Sequence, residues 1–177
     1  MATRDGLIGT WKMLSWKREI IATSEKVDAL GPDPAGFINY GSDGRFYGIV
    51  ARKNRQSPAT LPPSDDEKVT LFDSMLAYAG TYTLDHEKAV HHVDASLNQA
   101  WTGTDQVRLY KLNGNALSIS TGKVWDPYIG QESVHRIELH RRRLLSPSQA
   151  ASRQGRSASA SCRSTIDPGV SGADCSH

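Results

Sequence analysis

Two adjacent histidines and a nearby aspartate are the residues of this sequence whose types and spacing most directly suggest chemistry. His91, His92 and Asp94 lie in the run AVHHVDASLNQAW, residues 89–101. Successive side chains of a strand point to opposite faces, so His92 shares a face with Asp94 and not with His91. An imidazole tuned by a carboxylate can transfer protons near neutral pH. Adjacent strand residues cannot ligate one ion, and we predict no metal site.

The sequence leaves two orientations of this strand open. In one, His91 faces the core, and ordinary packing favours it because an unpaired buried polar group costs about 1–3 kcal/mol. In the other, His92 and Asp94 face a hydrated ligand cavity, where polar groups keep their partners. We predict the second orientation, with His91 outward. An exposed His92 would remove the acid–base assignment and leave a carrier as the better interpretation.

Two further polar residues complete the predicted catalytic set. His135 alternates in phase with Ile137 and Leu139, which favours an inward side chain; a core histidine bonded to a neighbour is its alternative role. Arg108, if inward, would anchor an anionic or carbonyl group, and the alternative is a solvated arginine. The catalytic candidates are therefore His92, Asp94, Arg108 and His135.

Four aromatic residues are predicted to contact a ligand. The phenols of Tyr40 and Tyr82 can orient a ligand oxygen or act as weak acids, with plain packing as the alternative. Trp101 and Trp125 lie between strand-like runs, which favours a place at the mouth of a cavity over a place on the core.

Strand-like runs must position these residues. Aromatic and β-branched residues alternate in about eight runs, joined mostly by short loops. The runs are 7–20, two within 35–52 on either side of the turn GSDG, 81–85, 89–97, 105–112, 116–121 and 131–139. A sheet of this size avoids exposed edges most simply by closing on itself. We predict an all-β fold, an eight-stranded up-and-down antiparallel barrel, with a two-sheet sandwich as the rival.

One helix interrupts the strands. Ser64 and Glu67 fit a capping box that would begin it. Apolar residues from Val69 to about Tyr78 then recur at helical spacing, which predicts one amphipathic helix with an apolar stripe.

Composition and charge narrow the possible functions. The 177 residues are 38% hydrophobic and 23% charged, which is ordinary for one globular domain. The net charge of +2 comes entirely from residues 143–177, which hold four arginines and two aspartates. Since the rest is neutral, we expect no nucleic-acid partner. The N-terminal residues lack a long apolar run, so we expect a cytoplasmic protein and no membrane partner.

The chain changes character after Arg142. Residues 143–177 contain no aromatic residue, are rich in serine and alanine, and hold both cysteines, Cys162 and Cys175. Such a segment cannot bury enough apolar surface to offset its ordering entropy. We predict one domain over residues 6–142 and a disordered tail over residues 143–177; a gene-model artefact is the alternative for the tail.

Familiar catalytic motifs are missing from the sequence. It has no nucleotide-binding glycine motif, no Gly-x-Ser-x-Gly elbow and no cysteine in residues 1–142. Nicotinamide redox chemistry, phosphoryl transfer and covalent acyl transfer are therefore disfavoured, and we expect no cofactor. Binding or cofactor-free chemistry in a shaped apolar pocket remains.

Several sequence blocks, in order, resemble the lipocalin-like domain family. They are Gly9-x-Trp11, GPDPAGFINYGSDGRF, YAGTY, VHHVDASLNQAWTGTDQVRLY and VHRIELHR, and the resemblance covers about residues 6–141. It implies a calyx-shaped barrel, plugged at one end by Trp11, that holds a small and mostly apolar molecule. For members encoded beside natural-product pathways, it also implies action on polyketide or terpenoid intermediates.

We therefore expect binding of a small hydrophobic metabolite, together with a cofactor-free isomerisation, cyclisation or dehydration in secondary-metabolite biosynthesis. The alternative is a non-catalytic carrier of the same kind of molecule. A third possibility is a module that works through a protein partner. The sequence carries no signal for an oligomeric state.

Overall fold

A computed structural model describes residues 4–127 and 129–142 of the chain. Within these residues the elements are α1 (Arg4–Leu7), β1 (Gly9–Ile20), β2 (Lys26–Asp28), β3 (Ala35–Tyr40), β4 (Arg45–Ala51), α2 (Asp65–Asp73), β5 (Met75–Asp85), β6 (Lys88–Ser96), a 3-10 helix (Gln99–Trp101), β7 (Asp105–Asn113), β8 (Ala116–Ser120), β9 (Val124–Asp126) and β10 (Gln131–Arg141). The predicted tail, residues 143–177, lies outside the described residues.

Eight of these strands close into one antiparallel barrel. The order around the barrel is β1, β3, β4, β5, β6, β7, β8 and β10, and β10 returns to pair with β1 from Trp11–Arg141 to Ile20–Ser133. The short strands β2 and β9 pair with β1 and β10, respectively, at the same end of the barrel. The turn between β3 and β4 occupies residues 41–44, as predicted. The closed barrel confirms the predicted fold and excludes the sandwich.

Strand β4 shows how the wall of the barrel divides its residues. Phe46, Gly48 and Val50 are buried, whereas Tyr47 and Ile49 on the alternate positions are exposed. This alternation follows from the period of two in a strand, since one face packs inside the barrel and the other meets water. The same rule decides which polar side chains can reach the interior.

Trp11 closes one end of the barrel. Its side chain is fully buried, and its indole N–H donates to the Leu7 carbonyl oxygen at 2.8 Å. The Arg141 guanidinium lies 4.2 Å from the centroid of the indole ring. Gly9 has a φ of 131°, and a Cβ there would lie 2.9 Å from Arg141 Nη1, so only glycine fits without strain. The Gly-x-Trp pair therefore forms the plug that the resemblance implied.

The helix is shorter than the sequence predicted. Its capping box is present, because Ser64 and Glu67 each bond the other's backbone N–H. It ends at Asp73, however, and Met75 already pairs with β4. The predicted extension to Tyr78 is therefore wrong, and the apolar residues of the helix remain outside the core, since none of its residues is buried. The apolar spacing came from two consecutive elements, because sheet pairing satisfies the backbone from residue 75 onward.

A bulge in β6 lies next to the predicted catalytic residues. Gly80 of β5 pairs with Val93, and the register then shifts, which leaves Asp94 as an extra residue. The two backbones approach so closely that a Cβ at Gly80 would lie 1.9 Å from the His92 carbonyl oxygen. Gly80 is therefore required for this register.

Candidate functional site

The barrel encloses a cavity of about 610 Å³. Apolar side chains from most strands form the greater part of its wall, among them Met13, Leu30, Ile38, Val50, Ile119 and Leu139. This volume falls within the roughly 300–1,000 Å³ that is usual for small-molecule sites. An apolar wall of this kind favours an apolar ligand, since burial removes apolar surface from water.

The cavity opens at the end opposite the Trp11 plug. Trp11 pairs with the last residue of β10, whereas β9, which carries Trp125, pairs with the first residues of β10. Phe72 of α2, Leu97 after β6, and Trp125 all line the cavity while remaining exposed, Trp125 at 65%. Exposed apolar side chains in a contiguous group typically mark a binding surface. They border the mouth.

The structure reverses the predicted orientation of β6. His91 is fully buried and lines the cavity, together on its face with buried Ala89 and Val93. His92 lies on the outer face, and so does Asp94. The prediction that these two point inward and His91 outward is therefore wrong. The apolar neighbours decide the orientation, since turning the strand over would expose both of them.

The outer residues are held by other surface groups. His92 Nδ1 lies 2.7 Å from Asp105 Oδ1, and His92 Nε2 lies 3.1 Å from Thr83 Oγ1. Asp94 accepts from the Arg45 guanidinium at 2.8 Å, with both side chains more than half exposed. The acid–base role predicted for His92 and Asp94 depended on their reaching the cavity and loses its basis.

His91 is hydrogen-bonded through both ring nitrogens. Nε2 lies 2.9 Å from the Tyr40 hydroxyl and Nδ1 lies 3.1 Å from the Tyr78 hydroxyl, while Phe46 stacks on the ring at 4.1 Å between centroids. Burial, reinforced by the charge of Arg108, lowers the pKa of His91 to about 3. The imidazole is therefore neutral, and one nitrogen donates while the other accepts.

The burial of Tyr40 fixes the direction of these hydrogen bonds. Within the described residues, His91 is the hydrogen-bond partner of its phenol, which is 1% exposed, and burial raises the pKa of that phenol well above its usual value. The phenol proton must therefore go to His91 Nε2, since otherwise it would be buried without an acceptor. Nδ1–H then donates to Tyr78, whose own O–H is left to donate elsewhere. Tyr78 is among the residues that line the cavity.

Arg108 is an inward, buried arginine, and not the solvated one of the alternative interpretation. It is 8% exposed and lines the cavity. Its guanidinium donates to the Val107 carbonyl oxygen at 3.0 Å and to Gln106 Oε1 at 3.4 Å, and lies 5.8 Å from the centroid of the Trp101 indole. No carboxylate among the described residues forms an ion pair with it.

His135 also lies on the cavity wall, as its phase with Ile137 and Leu139 predicted. Its Nδ1 accepts from the Trp16 indole N–H at 2.9 Å. Since an indole can only donate, the ring proton of neutral His135 is on Nε2, 3.4 Å from Asp126 Oδ2.

The surroundings of His135 keep it neutral as well. Burial lowers its pKa, and the nearby charges of Arg18 and Arg108 act in the same direction, against the opposing effect of Asp126. Asp126 is itself nearly buried and pairs with Arg18 at 2.9 Å. Both ring nitrogens of His135 are therefore engaged by protein groups.

Two of the four predicted ligand-contacting aromatics line the cavity. Trp101, in the 3-10 helix, and Trp125, at the mouth, form part of its wall. Neither Tyr40 nor Tyr82 is among the described residues that line it; Tyr82 donates to a backbone carbonyl at 2.9 Å. The prediction of direct ligand contact by these two is corrected to packing and hydrogen bonding behind the wall.

Several residues that line the cavity were not predicted from the sequence, among them Tyr78, Asp126 and Arg18. Tyr78 was placed at the end of a helix, although its alternation with Gly80 and Tyr82 is the signal of an inward strand face. Asp126 and Arg18 pair across the cavity wall. Asp126 lay in an apparent loop, which forms the short strand β9.

Among the described residues, no group of three or more His, Cys, Asp or Glu side chains is placed to hold a metal ion. In the same part of the chain, no helix is long and apolar enough to cross a membrane.

A closed barrel plugged at one end and open to an apolar cavity at the other defines the class of calyx-shaped barrels, which fits the binding of small hydrophobic ligands. The family model described as a lipocalin-like domain matches residues 8–144, and the chain belongs to this family.

The comparisons with individual proteins add little to this assignment. No curated protein matches the chain. The crystal structure of an uncharacterized protein from Bacteroides eggerthii is similar to it, at 13% identity and a TM-score of 0.38, over 77% of this chain and 99% of that chain. A likeness of this degree supports no inference about function.

Proposed function

We propose that this barrel is a binding protein that holds one small, mostly apolar molecule in its cavity and releases it unchanged. The observation that carries the proposal is the cavity of about 610 Å³, with its largely apolar wall and an open mouth. Burying a ligand there replaces water on apolar surfaces of both partners, which is favourable.

The two inward histidines favour binding over catalysis. A general base needs a nitrogen within hydrogen-bond reach of the proton that it takes. His91 is bonded to two phenols, and His135 lies between Trp16 and Asp126. Each would have to break a protein contact before it could act on a ligand.

A second candidate is a cofactor-free isomerisation, cyclisation or dehydration of a polyketide- or terpenoid-type intermediate. The observation that favours it is that Arg108 and His135, two of the predicted catalytic residues, both line the cavity. The substitution His135→Ala distinguishes the candidates. A carrier should lose affinity modestly, whereas an enzyme should keep binding and lose turnover of the molecule that co-purifies with it.

The proposal is tested with the fluorescent apolar probe N-phenylnaphthylamine and a matched pair of variants. Ile137 lines the cavity, whereas Ile49 lies on the outer face of the barrel. Ile137→Trp fills part of the cavity and should weaken probe binding by about tenfold or more, while Ile49→Trp should change it by less than about twofold. Equal effects of the two variants, or no binding to the unmodified protein, would overturn the proposal.

A further inference from the structure

We propose that the natural ligand is an organic acid, with an apolar body in the barrel and an anionic group bound by Arg108. This inference rests on the proposed binding function and specifies the class of ligand. The described side chains that face the cavity carry both positive and negative charges.

Those charges leave one buried cation unbalanced. Arg18 is paired with Asp126 across the wall at 2.9 Å. Asp73 also lines the cavity, but it lies on exposed α2 and forms no ion pair with Arg108. A buried charge is costly to keep unless it is paired. Arg108 has only neutral acceptors, Val107 O and Gln106 Oε1, among the described residues.

A bound ligand can supply the negative charge that Arg108 does not receive from the described residues. Arginine stays protonated at all relevant pH values and presents several donors in a fixed plane that suits a carboxylate. The inward histidines do not compete, because both are held neutral by their surroundings. A neutral apolar ligand would leave the guanidinium buried beneath it without a counter-charge.

A second hydrogen-bond donor, the Tyr78 hydroxyl, belongs to a side chain that packs against the same indole as Arg108, that of Trp101. The Trp101 indole packs against Tyr78 at 5.3 Å between ring centroids and lies 5.8 Å from the Arg108 guanidinium carbon. Because Tyr40 donates to His91 and His91 in turn donates to the Tyr78 oxygen, the Tyr78 O–H does not donate to His91. Arg108 and Tyr78 thus flank one indole, while most of the remaining wall is apolar. This arrangement fits a headgroup at Trp101 and an apolar body along the barrel.

The test compares two compounds that share a chain and differ in the headgroup. Dodecanoate and dodecanol are titrated separately against protein loaded with N-phenylnaphthylamine, at neutral pH, and the displacement of the probe is measured. Dodecanoate should displace it at a concentration lower by about tenfold or more. Arg108→Gln should bring the two compounds to within about twofold of each other, mainly by weakening dodecanoate.

Two further variants serve as controls. Arg136→Gln removes an arginine that lies on the outer face, 57% exposed, and should keep the full preference for the acid. Arg108→Lys retains the charge and should keep part of the preference; it replaces Arg108→Gln if thermal melting shows that the glutamine variant does not fold.

The outcomes separate this inference from the proposed function. Equal displacement by the two compounds in the unmodified protein, or an unchanged preference in Arg108→Gln, overturns the organic-acid ligand and leaves a carrier of neutral molecules. If the probe does not bind, or binds equally well to Ile137→Trp, the proposed function fails and the inference fails with it.

Discussion

The inner wall and the outer face of this barrel both carry histidines and aspartates, but those on the inner wall are buried and those on the outer face are exposed to water. On the inside, His91 is fully buried between two phenols, and Asp126 is nearly buried against Arg18. On the outside, His92 lies 2.7 Å from Asp105 and Asp94 forms an ion pair with Arg45, and all four side chains contact water. The burial and the partners of a histidine or carboxylate in this protein therefore depend on the face of the barrel wall that carries it, more than on its neighbours in sequence.

The largest contrast is expected between the two adjacent histidines. His91→Ala removes a fully buried ring and leaves the Tyr40 phenol without its acceptor, so the free energy of unfolding should fall by about 3 kcal/mol. His92→Ala, on the outer face, should cost about 0.5 kcal/mol or less. Urea unfolding measures both. Similar losses would show that the two faces do not differ as described.

A smaller contrast is expected between the two aspartates. Asp126→Asn leaves the mostly buried charge of Arg18 facing a neutral amide and should lower the free energy of unfolding by about 2 kcal/mol. Asp94→Asn removes only an exposed pair with Arg45 and should change it by about 0.5 kcal/mol or less. The same denaturation series checks the pair, and an equal cost at both positions would contradict the assignment of Asp126 to the wall.

A third expected effect is a dependence of stability on pH. The pKa of His91 is about 3 in the folded protein, against 6.5 for an unperturbed histidine, and that of His135 is also lowered. The unfolded chain therefore binds more protons just below pH 6.5, and stability should fall as the pH falls, by up to about 1.4 kcal/mol per pH unit for each histidine.

This slope should be measured between pH 7 and pH 5, where most carboxylates stay ionised. His91→Gln removes one of the two buried histidines and should reduce the change in the free energy of unfolding per pH unit. For each protein, this change is taken relative to its own stability at pH 7. A variant that keeps the full slope would show that His91 does not titrate as its burial requires.

The fold was within reach of the sequence because it depends on local signals. Alternating strands, the turn at residues 41–44 and the capping box at Ser64 each appear where predicted. The end of the helix did not follow, since the step from Asp73 to the strand at Met75 depends on pairing with β4, which is distant in sequence. The spacing of apolar residues alone does not show that residues after Asp73 pair as a strand instead of continuing the helix.

The site was predicted less completely for a related reason. Alternation correctly separated His91 from His92, but it does not say which face is inside. That was decided by the buried neighbours of His91 and by the close approach at Gly80, both consequences of long-range register. Arg108 was a candidate from the start, yet the absence of an ion pair between it and any described carboxylate could be recognised only once the cavity was assembled.

The central claim, that the cavity holds one small and mostly apolar molecule, is tested most directly by native mass spectrometry of the protein purified from its own host. We expect a noncovalent adduct of one small molecule per chain, present in the Ile49→Trp variant and reduced in Ile137→Trp. A protein that carries no adduct and also fails to bind N-phenylnaphthylamine would contradict it.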